Sequence, residues 1–299
     1  MSAVVVRWSL LGTLLVVALA FVVFVVTRAR RVREGEGEGE RSQLGLSWPG
    51  WPRVAVGFVT DFLDTLGIGS FATTTSLFRA FQLVPDRQVP GTLNVGHALP
   101  TVLQAFIYIS VIEVDVWTLV AMISSAVVGA HFGARWVTRW SERSVRLAVG
   151  SALIIAALLM LGSMYGFLPA GGVALGLRGV PLVVGVLGNL LLGSLMTFGI
   201  GLYGPCMMLV ALLGMNPRAA FPIMMGSCAF LMPIASPQFV RSTSYEPRAA
   251  WGLTLGGLPA VWIAAKIVRE LDLSSLRLGV LFVVLYTAFA TLRAARGRH

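Results

Sequence analysis

The stretch Gly67-Ile68-Gly69-Ser70-Phe71 returns as Gly199-Ile200-Gly201-Leu202-Tyr203, and the same shift of 132 positions carries Leu77 onto Leu209, Pro85 onto Pro217 and Pro90 onto Pro222 without a gap. Both copies lie in strongly apolar sequence, which reads as two related halves, each with a helix interrupted inside a membrane. The 39 residues from Gly179 to Pro217 carry no charge. As one straight helix they would run about 58 Å, nearly twice the roughly 30 Å of a hydrocarbon core. The segment must break, and Gly199-Ile200-Gly201 with Gly204-Pro205 is where glycine permits unusual dihedrals and proline removes a donor. The first copy is expected to break at Gly67-Ile68-Gly69.

Outward from the breaks, composition gives the class. Of the 299 residues, 57% are hydrophobic and 12% charged, and the mean hydropathy is +0.83, too little polar surface for a water-soluble globule. The expected fold is an all-α polytopic membrane protein with two homologous repeats, glycine-broken or re-entrant helices, and an extra N-terminal transmembrane helix. Residues 1–27 supply that helix, since Trp8 to Val26 is uncharged and long enough to span. It is too long for a signal peptide and has its basic cluster after it. Residues 28–50 form a charged cytoplasmic linker containing Glu-Gly-Glu-Gly-Glu-Gly-Glu at 34–40. Residues 51–168 are the first repeat, 169–179 a loop between repeats, and 180–299 the second repeat with a basic tail.

The net charge of +10 comes from basic residues gathered at 28–33, 135–146, 266–277 and 293–298, beside apolar segments. Topology signals explain them better than a nucleic-acid groove does. Arg28, Arg30, Arg31 and Arg33 outnumber Arg7, which places the amino terminus outside and the cluster in the cytoplasm. Beyond the first helix the charges leave inverted and parallel repeats both open. Cys206 and Cys228 show no metal-ligand spacing, and no Walker A, His-Glu-x-x-His or Gly-x-Ser-x-Gly motif is present. No enzyme, metal site or cofactor is expected.

Polar groups in apolar sequence mark the candidate site. A helix that starts after a glycine break turns its unpaired amides and positive dipole end toward the break, a seat for an anion. Gly67, Gly69, Gly199 and Gly201 make the breaks; Ser70, Thr73 and Thr74 begin the first half-helix and Tyr203 the second. Asn94, His97 and Ser227 on the following helices complete the substrate-binding set. Asp61 and Asp64, three apart on one helix face, are candidates for proton coupling; the alternative puts them near an aqueous mouth or against Arg79. His131 lies in Gly129-x-x-x-Gly133, where helix packing is the stronger explanation.

Gly57-Phe58 through Gly67-Ile68-Gly69, the downstream Pro85-Asp86-Arg87 and the second Gly-Ile-Gly resemble the sulfite exporter TauE/SafE family, over roughly residues 54 to 292. The amino-terminal helix and Glu-Gly run fall outside that resemblance. It implies a secondary transporter in the bacterial inner membrane, exporting a small oxyanion such as sulfite or an organosulfonate, with the lipid bilayer as its surroundings; the basic loops and the Gly-x-x-x-Gly pattern permit a homodimer without requiring one. The family pattern usually has more consecutive glycines after the first break, so Ser70 and Tyr203 alter the shape and donor set of the seat. An anion channel or a membrane scaffold are the alternatives from other classes.

Overall fold

A computed structural model of the chain describes residues 3–35, 48–137, 143, 147, 150–151, 154, 157–158, 161–162, 172–196, 201–270 and 273–296. These residues are helical, joined by turns, with one parallel bridge between Ala174 and Met215. The helices are α1 (Ala3–Gly35), α2 (Trp51–Thr65), α3 (Ser70–Ala80), α4 (Val89–Gly96), α5 (Ala98–Val111), α6 (Val116–Val137), α7 (Val180–Met196), α8 (Tyr203–Leu212), α9 (Ala220–Arg241), α10 (Pro247–Glu270) and α11 (Leu273–Arg296). Ala3–Arg28, Pro217–Arg241 and Pro247–Ile267 are each long and apolar enough to cross a membrane, and shorter apolar helices accompany them. The chain is an all-α, multi-pass membrane protein. Most of residues 138–168, at the end of the expected first repeat, and Thr197, Gly199 and Ile200 at the second break, lie outside the described residues.

Both interrupted segments fold back on themselves. Gly67 at φ 95° and Gly69 at φ 84° take left-handed backbone that a side chain resists, and the chain reverses between them. Asp64 of α2 lies against Ser70 of α3, while Asp61 connects through His97 to Thr74, so three residues back along α2 match four forward along α3. The two helices are antiparallel. In the second hairpin, space beside Gly188 is filled by Leu209 and space beside Gly185 by Leu213, which makes α7 and α8 antiparallel as well. Gly201 needs no left-handed φ.

The hairpins enter from opposite faces. At one face, where α2, α4 and α10 all start, Arg53 reaches Glu246 at 3.8 Å and Glu246 N–H donates to Thr92 Oγ1 at 2.9 Å. At the other, Asp115 N–H donates to Leu175 O at 2.7 Å and Asn216 N–H to Ala174 O at 2.8 Å, which gathers the starts of α6 and α7 with the end of α8. The first face receives the ends of α1, α3, α6 and α9, and with them Arg28, Arg79, Arg87, Arg135 and Arg241. Lys266, at the far end of α10, lies toward the other face. The basic groups at 135 and 266 therefore do not share a side.

Two tight helix pairs hold the halves together, α2 with α10 and α6 with α7. Each uses glycine to bring backbones into contact. A Cβ on Gly193 would stand 2.7 Å from the Ala126 carbonyl carbon, and one on Gly129 2.8 Å from that of Leu190. This close approach lets Ser194 Oγ donate to Gly129 O at 2.8 Å across the interface. Gly193→Val is accordingly expected to lose about 1–3 kcal/mol, as overpacked sites do when rigid backbone opposes the added carbons. In detergent its melting temperature should fall by several degrees, whereas Gly12→Val, with open space at that position, should melt like wild type.

Candidate functional site

The site grows from two helix faces that run side by side. On α5 and its approach, His97, Thr101, Gln104 and Tyr108 recur at intervals of four, three and four, one stripe of a helix. On α2 the facing residues are Asp61, Asp64 and Thr65. All seven are buried, most of them completely. His97 sits where α4 gives way to α5, three residues before Pro100. Proline at 100 cannot donate to the carbonyl of Gly96, and Thr254 Oγ1 of α10 supplies the missing donor at 2.7 Å. Thus α10 anchors the joint that carries the histidine.

His97 joins three elements. Its Nδ1 lies 2.8 Å from Asp61 Oδ1 of α2, and its Nε2 lies 3.0 Å from Thr74 Oγ1 of α3. Asp61 Oδ2 has no hydrogen-bond partner and is packed against Gly257 and near Pro100. One carboxyl oxygen is thus held by the imidazole and the other faces apolar surroundings, so the side chain of Asp61 depends on a single polar contact.

Asp64 has a different set of partners. Ser70 N–H, the first amide of α3, donates to Asp64 Oδ1, and Gln104 Nε2 donates to Asp64 Oδ2 at 3.0 Å. The same amide nitrogen reaches Thr65 Oγ1 at 3.0 Å, and Gln104 Oε1 accepts from the Tyr203 hydroxyl at 2.9 Å. Both oxygens of Asp64 accept from nitrogen donors, the pattern that suits an ionised carboxylate. The start of α3, where an anion seat was expected, is therefore occupied by a carboxyl group of the chain itself. Tyr203, at the start of α8, connects to it through Gln104, so the tips of the two hairpins share one hydrogen-bonded chain. Gly67 packs against Met207 and Gly69 stands near Tyr203 at the same meeting point.

The candidate residues separate into groups. Asp61, Asp64, Ser70, Thr74, His97 and Tyr203 come together, with Gly67 and Gly69 shaping the turn. Thr73 donates to Gly69 O and Ser70 O of its own turn, and Asn94 Nδ2 to Pro90 O of its own helix at 2.8 Å. Ser227 accepts from Asn189 at 3.0 Å in a separate contact between α7 and α9. Gly201 adjoins Tyr203, and Gly199 lies outside the described residues. Arg79 is exposed, whereas Asp61 and Asp64 are buried. Thr65, Gln104 and Tyr108, whose hydroxyl donates to Thr65 O at 3.1 Å, belong to the cluster although they were not in the candidate set. The spacing of the α5 stripe carried the signal for Gln104 and Tyr108. No group of three or more His, Cys, Asp or Glu that could hold a metal occurs among the described residues.

Tyr203→Phe removes one hydrogen bond and leaves Gln104 Oε1 buried without a partner, a loss of about 1–3 kcal/mol. Its melting temperature in detergent is expected to fall by a few degrees relative to wild type, and an unchanged melting temperature would mean that the link contributes nothing to stability.

Two opposed helical hairpins that meet beside a buried acid–histidine cluster define a polytopic, all-α membrane protein. The sequence matches the sulfite exporter TauE/SafE family over residues 1–160, and the chain belongs to that family. Membership identifies it with membrane transporters of small sulfur anions rather than with enzymes. The match begins at residue 1, so it includes α1 and the Glu-Gly run that the resemblance had left out, and it ends before the second half. No curated protein and no solved structure matches the chain.

Proposed function

We propose that the chain is a secondary carrier that exports a small sulfur oxyanion, sulfite or an organosulfonate, across the bacterial inner membrane together with a proton. The observation that carries this reading is the Asp64 carboxylate on the first amide of α3, at the meeting point of the two hairpins. A site that holds a carboxylate between a helix-terminal amide and a side-chain amide has the donors for an oxyanion of similar size. Asp64 gains a proton and leaves, the substrate takes Ser70 N–H and Gln104, Tyr203 is in contact with Gln104, and Thr74 is in contact with His97. Asp61 and His97 lie beside this exchange as the route for the proton.

The two hairpins enter from opposite faces and lean on each other's halves, α2 on α10 and α7 on α6. That reciprocity supports reading the halves as inverted repeats that rock about the fixed tips to alternate access. The arginine-rich face is then cytoplasmic. Residues 51–168 and 180–299 are the two repeats in this reading, and residues 1–27 an added crossing.

Counterflow of radiolabelled sulfite into liposomes holding the purified protein tests the function. A carrier exchanges internal unlabelled sulfite or organosulfonate for external label and saturates. Flux that shows no counterflow would replace the carrier with a channel. Absence of flux for sulfite and for a panel of organosulfonates, in folded protein, would refute transport by this site and leave a scaffold role.

A further inference from the structure

Helix α1 packs on α9 and α5, and α10 packs on α2, α4 and α5. Between α1 and α10 runs a groove on the arginine-rich side, lined by Phe21 and Val25 of α1, Val95 and Leu99 at the α4–α5 joint, and Ala250 and Trp251 of α10. Tyr245 closes its outer end. The walls are mainly apolar, and the groove lies within the depth spanned by the apolar part of α1. Two arginines stand beside its outer end without lining it. The Arg241 guanidinium sits over the Phe24 ring at 5.6 Å from the centroid, and Arg28 follows one turn later on α1. Both arginines are exposed. Burial and the adjacent Glu246 carboxylate push the Tyr245 hydroxyl up, with the Arg28 charge acting the other way, which puts Arg28 close to the end of the groove. Glu246 is the acid there, and it is engaged elsewhere, with Arg53 at 3.8 Å and with the Ala249 N–H at the start of α10.

We infer that this groove is a binding site for an anionic phospholipid of the arginine-rich leaflet, one acyl chain lying between α1 and α10 and the phosphate held by Arg28 and Arg241. An apolar channel that ends in two guanidinium groups matches a molecule with a hydrocarbon chain and a phosphate at one end. A zwitterionic lipid fills the same channel but gains less from the arginines, because its ammonium opposes them. Bound in this way, the lipid fills the space left between α1 and α10 and ties the added helix to the transport body. The site does not depend on which anion the protein carries.

Native mass spectrometry of the delipidated full chain, titrated with phosphatidylglycerol or phosphatidylcholine, reads the site directly. Wild type is expected to hold phosphatidylglycerol at least about fivefold more tightly, and the Arg28→Gln/Arg241→Gln variant to bind both lipids alike. Leu99→Trp, which fills the groove, should weaken both. Equal binding of the two lipids by wild type, or an undiminished preference in the double arginine variant, overturns the proposal. So does full competition by equimolar inorganic phosphate, which would mean that the acyl channel contributes nothing. A lipid-free dimer that disappears in Leu99→Trp would give the groove to a second copy of the chain instead.

Discussion

His97→Ala is expected to be the most damaging single change in the buried cluster. It removes the one hydrogen-bond partner of Asp61, whose other oxygen already has none, and leaves a fully buried carboxylate with no contact to satisfy it. Breaking a buried ion pair from one side costs about 3–5 kcal/mol, a large share of the roughly 5–15 kcal/mol by which a domain is stable. The variant should melt well below wild type and carry no anion. Removing both partners should be milder, because Asp61→Asn in the same chain no longer strands a charge. A double-mutant cycle on melting temperature therefore predicts that Asp61→Asn/His97→Ala is more stable than His97→Ala alone. Strict additivity of the two single changes would mean that the contact between His97 and Asp61 contributes no coupling.

Asp64→Asn has the second largest expected effect, on coupling rather than on folding. The amide keeps an oxygen for Ser70 N–H but cannot gain or lose a proton, so anion loading no longer brings a proton with it. Each pH unit is about 1.4 kcal/mol. A gradient of one unit should drive about tenfold sulfite accumulation in wild-type liposomes and almost none in the variant. Exchange between equal pools of anion, which needs no net proton movement, should survive. Gradient-driven accumulation equal to wild type would remove Asp64 from the coupling path. An additional loss of equal-pool exchange would make Asp64 a structural support of the tips.

The physical reasons for what could be read from the sequence differ between elements. The breaks were legible because an uncharged run longer than a bilayer has to interrupt, and Gly67 and Gly69 stand where left-handed backbone is needed. Re-entrance was not legible from the same residues. A glycine turn fixes that a helix stops, while only contacts between distant residues, Thr74 with His97 or Leu209 with Gly188, fix that the chain turns back. For the same reason the charge pattern left the orientation of the halves open: each re-entrant hairpin reverses the side of every later loop.

Within the site, Asp61, Asp64 and His97 were marked by being polar in apolar sequence, but their pairing spans 36 residues and has no local signature. Gln104 had the same mark and a stronger one, its place on a stripe with His97 and Tyr108. Asn94 and Thr73 had the same mark, yet both bond the backbone of their own helices, as short polar side chains on a helix can. The asymmetry between halves follows the shift of 132 positions, which puts Gly193 opposite Asp61 and Met196 opposite Asp64. Gly193 serves backbone contact with Ala126, and Met196 lies 3.5 Å from Cys228, so the second half packs where the first half carries charge.

The exchange of Asp64 for a substrate oxyanion at the start of α3 is tested most directly by counting protons. Calorimetric titration of the purified protein with sulfite, in buffers of different ionisation enthalpy at one pH, gives the number of protons taken up per anion bound. The account predicts saturable binding with about one proton taken up in wild type and none in Asp64→Asn. Binding whose heat is the same in every buffer, or a wild type that shows no binding heat for sulfite or any organosulfonate, would contradict it.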